Sequence, residues 1–326
     1  MEFAQAAGDW RTGEVDHGRG TRTNLGEFSL NSLHLDCTEA ELPPLVFIHG
    51  ASATLLDPLF CFRTALEGRA RLLFVDRPGH GRSDKGPEAT VLPDGQAEAI
   101  ARLMKAKGIA RAIIVGHSYG GAVAAAMALN QPESVLGLVL LAPALYPWPG
   151  GIAWYYDAAR HRTFGGLFSR LVVPLAGRLT MRKAVRSVFA PNPTPENYVE
   201  ATVVREAIEP GAFRHNAREI GALHAWTERN RERYGAIEAP TVIITGTRDD
   251  VVSPDIHSRQ LARDLPDARL LCVRGLGHKP DYHARDLVIA AIEKMSGQPR
   301  DLEATKRAVE ARLTRSERAT ANTAKA

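Results

Sequence analysis

The side chains best suited to covalent chemistry in this chain are Ser118, Asp249 and His278: a hydroxyl, a carboxylate and an imidazole, in that order along the sequence. A serine attacks a carbonyl only when a base takes its proton, and the base needs a third group to fix its tautomer and stabilise the imidazolium. Ser118 stands in Gly116-His117-Ser118-Tyr119-Gly120. The run 112–115 ahead of it is apolar and rich in β-branched residues, the composition of a buried parallel strand. The run 121–130 behind it is rich in helix formers and stops before Pro132. The serine therefore belongs to a sharp strand-to-helix turn, with Gly116 and Gly120 leaving room where the two elements approach. Its hydroxyl projects over the end of a sheet, above the positive end of a helix.

Of the eleven histidines, four lie near candidate loops. His117 neighbours Ser118, and adjacent side chains at such a turn point apart. His49 and His80 sit in Gly-rich loops and read as packing or turn residues. His278 leaves the strand-like run 268–273 and precedes a helical segment that begins at Asp281, where a base for Ser118 is expected. The strand pattern 241–245 runs into Gly246-Thr247-Arg248-Asp249-Asp250. A carboxylate just beyond a strand end can reach His278 across the sheet. Asp249 is preferred for this, while Asp250 and Asp255 suit an Asx-turn or a helix cap. Another apolar run, 45–48, leads into His49-Gly50-Ala51-Ser52, so the backbone N–H groups of Ala51 and Tyr119 are the expected oxyanion donors.

The elements that must position these groups follow a βαβ rhythm. Strand patterns at 45–48, 71–75, 112–115, 135–141, 241–245 and 268–273 alternate with helical segments such as 94–107 and 281–294, which implies an α/β fold with a mostly parallel sheet flanked by helices on both faces. Residues 28–30 and 33–36 read as a short antiparallel edge hairpin. The His49-Gly50 turn, Asp76-Arg77-Pro78-Gly79-His80-Gly81-Arg82-Ser83-Asp84, the Gly116–Gly121 elbow, Gly246-Thr247-Arg248-Asp249 and Gly275-Leu276-Gly277-His278 occur in the order found in the α/β-hydrolase fold family, which the chain resembles from about residue 28 to 295. The resemblance implies a structural, non-catalytic role for the loop 76–84. It leaves the substrate open, because the family hosts esterases, lipases, thioesterases, lactonases, C–C bond hydrolases and others. A serine at 118 speaks against the branches that use an aspartate nucleophile.

Between 143 and 239 the rhythm stops and the sequence turns helical, aromatic and arginine-rich. Inserted after the sixth core strand, this segment reads as a helical cap over the strand ends. Tyr146, Trp148 and Trp154 are candidates for lining an apolar substrate pocket. Within the cap, Phe164, Leu167, Phe168, Leu171, Val172, Leu175 and Leu179 recur at helical spacing beside several arginines, and Pro174 should kink any helix there. This stripe is expected to pack against the active site; transient contact with a lipid interface is the alternative.

With 326 residues, 44% of them hydrophobic, the chain can bury one large core, and a net charge of +4 is too mild to imply nucleic-acid binding. Three scattered cysteines form no disulfide framework, and no zinc spacing, P-loop or dinucleotide fingerprint occurs, so neither a metal nor an organic cofactor is expected. The absence of a signal-like start and of a membrane-length apolar run leads to an expected cytoplasmic protein. The organisation expected is a flexible segment 1–22, a core of 23–142 and 240–296, a cap of 143–239, and a polar tail 297–326 that holds a helix near 302–313 but adds little to the core. The expected activity is hydrolysis of a carboxylic ester or related acyl compound of small, apolar character. A C–C bond hydrolase, perhydrolase or acyltransferase with the same triad is the near alternative, and a non-catalytic ligand-binding protein the distant one.

Overall fold

The computed structural model describes residues 19–323. Its sheet has eight strands: β1 (Thr21–Asn24), β2 (Ser29–Leu35), β3 (Leu45–Ile48), β4 (Leu72–Val75), β5 (Ala112–His117), β6 (Val135–Leu141), β7 (Thr241–Gly246) and β8 (Ala268–Val273), in the order β1-β2-β4-β3-β5-β6-β7-β8. From β4 to β8 every pairing is parallel, and the two N-terminal strands add antiparallel at one edge. Apolar runs such as Leu45–Ile48 and Leu72–Val75 are buried along their whole length, as strands covered on both faces must be.

Helices α1 (Leu56–Leu66), α2 (Pro93–Ala106) and α3 (Tyr119–Asn130) follow the early strands. The insertion after β6 folds into α4 (Trp154–Arg160), α5 (Gly165–Leu171), α6 (Val173–Phe189), α7 (Tyr198–Ala201) and α8 (Pro210–Asn230). The chain then completes the sheet and adds α9 (Ser258–Asp264), α10 (Pro280–His283), α11 (Arg285–Met295) and α12 (Leu302–Thr323). Two cores result. Ile100, Leu103, Val123 and Leu261, from α2, α3 and α9, fill one face of the sheet; Phe62, Leu287 and Ile292, from α1 and α11, fill the other.

Four expectations need correction. The edge hairpin joins β1 to β2, with Thr21 opposite Ser32, so residues 28–30 and 33–36 belong largely to one strand. Residues 21 and 22 of the expected flexible segment are part of that pairing, while residues 1–18 lie outside the described region. The tail is no appendage: Leu302, Val309 and Leu313 of α12 are buried in the second core. Its polar composition hid a single apolar stripe, which α11 and β8 cover.

The fourth correction concerns the expected cap. Val172 separates α5 from α6, with Pro174 in the first turn of α6, where a missing N–H costs nothing. The face of this helix pair turned inward carries Val173, Met181, Val185 and Phe189. The stripe expected to pack inward is solvent-facing instead: Leu171, Leu175 and Leu179 are 64, 68 and 80% exposed. The helix pair is apolar on two sides, and the stripe that meets α8 and residues 198–208 is the buried one.

Candidate active site

Ser118 occupies the turn between β5 and α3 with φ 53° and ψ −116°, a left-handed conformation that is costly for a residue with a Cβ. The turn is held from below. Ser118 N–H donates to Leu141 O at 2.9 Å, and the Ser118 carbonyl accepts from Gly121 N–H at 3.0 Å and Ala144 N–H at 3.2 Å. The flanking glycines are sterically required: a Cβ at 116 would lie 2.5 Å from Gly120 O, and one at 120 would lie 2.2 Å from Ile48 O. Tyr119 N–H is the first amide of α3 and so belongs to the helix end that lacks intrahelical acceptors.

Two strands along, the loop after β7 carries Asp249 and the loop after β8 carries His278. His278 Nδ1 lies 2.8 Å from Asp249 Oδ2, and both residues are buried. The other carboxylate oxygen, Oδ1, accepts the N–H groups of Val251 and Val252 at 2.9 and 2.8 Å, so the carboxylate cannot swing away. Asp250 is exposed. His278 also meets His117, the residue before Ser118: their ring centroids are 4.9 Å apart and His117 Nε2–H donates to the His278 carbonyl at 2.9 Å. No hydrogen bond joins Ser118 Oγ to His278 Nε2 in this structure, and such contacts commonly tighten only with substrate in place.

The turn after β3 meets the same spot: a Cβ added to Gly50 would lie 3.3 Å from Ser118 Cβ. Its next residues are Ala51 and Ser52, the latter at φ 55°. Ser52 is clamped by Asn216 of α8, which accepts Ser52 N–H at 3.1 Å and donates to Ser52 Oγ at 2.9 Å. The profile of the alpha/beta hydrolase fold matches residues 43–280. The chain belongs to the α/β-hydrolase fold family.

Among curated proteins it is 27% identical to the dihydrolipoyllysine-residue acetyltransferase component of the acetoin cleaving system of Pseudomonas putida, over 75% of this chain and 61% of that protein. It is 24% identical to Lipase 1 of Psychrobacter immobilis, over 74% of this chain and 73% of that one. Its fold is similar to that of the enol-lactonase from Burkholderia xenovorans, with a TM-score of 0.67 at 20% identity, covering 84% of this chain and 99% of that structure.

In this α/β-hydrolase the other histidines have structural work. His49 Nε2 accepts Arg77 N–H at 3.1 Å and its Nδ1 faces Gly50 O at 2.8 Å; burial pushes its pKa well below the usual value, chiefly by desolvation. Arg77, from the loop 76–84, is fully buried and reaches further than the sequence suggested. Its guanidinium donates to the carbonyls of His49 and Gly50, each at 3.1 Å, to Gln96 Oε1 at 2.9 Å and to Glu219 Oε1 at 3.1 Å, and lies 4.4 Å from the centre of the Tyr119 ring. Glu219, on the cap helix α8, also meets His80 at 2.7 Å. Burial would raise the Glu219 carboxyl, but Arg77 and His80 outweigh it and hold it well below the carboxylate range. One buried charge pair thus ties α8 to the loop 76–84 and to the turn after β3.

A second cluster escaped the sequence. Lys279, next to His278, is buried with its Nζ 2.8 Å from Asp57 Oδ2 and 2.9 Å from Asp281 Oδ2. Asp57, at the start of α1, also accepts the hydroxyls of Tyr198 and Tyr282, each at 2.9 Å. Burial would lower the lysine pKa; the two carboxylates raise it well above the usual value instead. Ligand-type atoms of Asp57, His117 and Asp281 lie within 4.8 Å of one another, but the ammonium of Lys279 already supplies the positive charge there, so the donor set does not fit a metal ion. Only a lysine directly after a catalytic-type histidine hinted at this cluster, and its acidic partners come from distant segments.

The three cap aromatics part company. Tyr146 is buried, its ring against Tyr234 and its hydroxyl 2.5 Å from Asp264. Trp154 is 71% exposed and packs edge-on to Phe168. Trp148 meets His224 edge-on and lies 6.2 Å from His257, a buried ring whose Nδ1 accepts the N–H groups of Leu145 and Tyr146.

Proposed function

We propose that this chain hydrolyses carboxylic esters through a serine acyl-enzyme. The observation that carries the reading is the buried His278–Asp249 pair at 2.8 Å, set on the same sheet edge as a serine held at positive φ. In this reading His278 Nε2 takes the Ser118 proton as Oγ attacks the carbonyl, and Asp249, through Nδ1, keeps the ring in the tautomer that leaves Nε2 free to accept. The N–H groups of Ala51 and Tyr119 hold the tetrahedral oxyanion, each donor of this kind contributing about 3 kcal/mol. The imidazolium then protonates the leaving alcohol, and a water molecule, deprotonated by the same ring, releases the acid. All protons in the cycle pass through His278.

The relatives support ester chemistry: the Psychrobacter protein is named a lipase, and the matched Burkholderia structure is a lactonase, which opens a cyclic ester. The Pseudomonas relative is named an acetyltransferase component, so transfer of the acyl group to an acceptor other than water is the second reading. Of the cap aromatics, Trp148 is the best placed for substrate contact, through its approach to His257; Tyr146 is packed away and Trp154 faces solvent.

The test is labelling with a fluorophosphonate, followed by turnover of p-nitrophenyl esters of graded acyl length. Ser118 should take the label, and Ser118→Ala should lower turnover by roughly 10⁶-fold, with Asp249→Asn costing about 10⁴-fold. Folded protein that refuses the label, or a Ser118→Ala variant with near-normal turnover, removes the mechanism.

A further inference from the structure

The outer face of the cap combines two properties that rarely occur together on a solvent-facing surface. Its apolar side chains are exposed: Phe164, Leu167, Leu171, Leu175 and Leu179 form a line along α5 and α6, and Trp154 of α4 stands beside it, edge-on to Phe168. Four-residue spacing keeps these leucines on one side of the helix pair. A contiguous patch of this kind on a folded protein marks a place where something docks.

The charge around the patch says what docks. From residue 158 to 195 the chain contains seven of its 41 Lys+Arg and none of its 37 Asp+Glu. The remainder of the chain has 34 basic against 37 acidic residues and is net negative, so the positive charge is concentrated here. Arg170, Arg178, Arg182, Lys183 and Arg186 are all exposed, and of these only Arg182 has an acidic neighbour, Glu200 at 3.5 Å, among the described residues. By helical spacing Arg178, Arg182 and Arg186 lie on the same side of α6 as Leu175 and Leu179, so their long stems can lie along apolar surface while their heads reach outward. A second copy of this chain would bring like charge against like charge, which works against a dimer through this face.

The patch continues into a cavity of about 280 Å³ lined by Lys85, Arg160, Arg162, Arg214, His215 and Arg218. Arg160 and Arg218 are partnered by Asp157 and Glu88, while Arg214 Nε is buried without a hydrogen-bond partner among the described residues. The cavity borders the exposed stripe: Arg162 lies in the turn between α4 and α5, and Arg214 Nη1 comes within 3.9 Å of where a Cβ on Gly166 would sit, one residue before Leu167.

We propose that this face of the cap binds an anionic phospholipid surface: the leucines and Trp154 enter the acyl–headgroup boundary, the arginines pair with phosphates, and the cationic cavity receives one phosphate headgroup. No helix among the described residues is long and apolar enough to cross a membrane, so the attachment is peripheral. The inference stands apart from the triad, because binding can be measured on protein that carries Ser118→Ala.

The experiment is co-sedimentation of that protein with vesicles of phosphatidylcholine alone and of phosphatidylcholine mixed with phosphatidylglycerol, with light scattering to report its oligomeric state. The expected result is binding to the mixed vesicles that weakens with salt, and little binding to phosphatidylcholine. Arg178→Ala/Arg182→Ala/Arg186→Ala should weaken it on the order of 100-fold, and Leu171→Asp/Leu175→Asp should abolish it. These side chains are exposed, so melting temperature should be unchanged in both variants, as should p-nitrophenyl acetate turnover when they are made in the wild-type chain. Inorganic phosphate competing fully with vesicles would show a site for free phosphate and overturn the surface reading. Absence of vesicle binding, equal binding to both vesicle types, or a dimer dissolved by the leucine variant would overturn it as well.

Discussion

Asn216 of the cap grips Ser52 of the core from both sides, accepting its N–H at 3.1 Å and donating to its hydroxyl at 2.9 Å. Ser52 follows Ala51, a proposed oxyanion donor, and its backbone is at φ 55°, a conformation that needs outside support in a residue other than glycine. Helix α8 therefore helps to hold the turn proposed to bind the oxyanion. Asn216→Ala should lower kcat on p-nitrophenyl butyrate by about 10–100-fold with little change in KM, since a donor displaced by a fraction of an ångström loses most of its effect on the transition state. Steady-state kinetics checks this. A change confined to KM would place Asn216 in substrate binding.

Lys279 should matter for stability. Replacing it with Met leaves Asp57 and Asp281 facing each other in a buried site with no cation between them. Removal of one partner from such a cluster typically costs about 3–5 kcal/mol. Urea unfolding should show a loss of that order for Lys279→Met, partly recovered when Asp57→Asn and Asp281→Asn are added. A loss under about 1 kcal/mol would mean that water reaches the cluster and screens it.

Acid should unfold this protein early. Burial holds His80 and His257 down at about 4, against the opposing pull of Glu219 on the first and Asp249 on the second. His49 and His117 are shifted in the same direction, again chiefly by burial. These rings stay neutral in the folded state at pH values where the unfolded chain, with histidines near pH 6.5, takes up protons. The unfolded state thus binds more protons between about pH 6.5 and 4, and stability falls as pH drops through that window. Each fully engaged group contributes a slope of up to about 1.4 kcal/mol per pH unit. Denaturant midpoints taken across this range should decline steeply, and His257→Gln should decline less steeply. A flat wild-type profile would contradict the account.

The last helix should be indispensable. Leu302, Val309 and Leu313 are buried against the second core, and Arg312 of the same helix pairs with Asp286 of α11 at 2.9 Å. Termination after Gly297 exposes the surface beneath them. At about 1.5–3 kcal/mol for each large apolar side chain, the expected loss is on the order of 5 kcal/mol. Thermal melts of the truncated chain measure it, and a melting temperature equal to that of the full chain would show α12 to be dispensable.

Features that depend on neighbours in the chain were readable from the amino-acid order alone. The buried strands announced themselves as short apolar runs, and the elbow at Ser118 showed its glycines at the two positions where a Cβ collides with backbone. Position in the turn favours Asp249 over Asp250, and the tertiary structure sets Asp249 against His278 and leaves Asp250 exposed. One residue's difference in a turn decides which carboxylate faces His278 and which faces water. The Arg77–Glu219 pair spans 142 positions, and Lys279 is joined to an aspartate 222 positions away. No local pattern encodes such pairs, because their favourable energy exists only once the chain has removed both partners from water. The cap taught the same lesson in reverse. Two apolar stripes on one helix pair are equivalent by composition and period, and only the surface offered by α8 and the core decided which would be covered and which left bare.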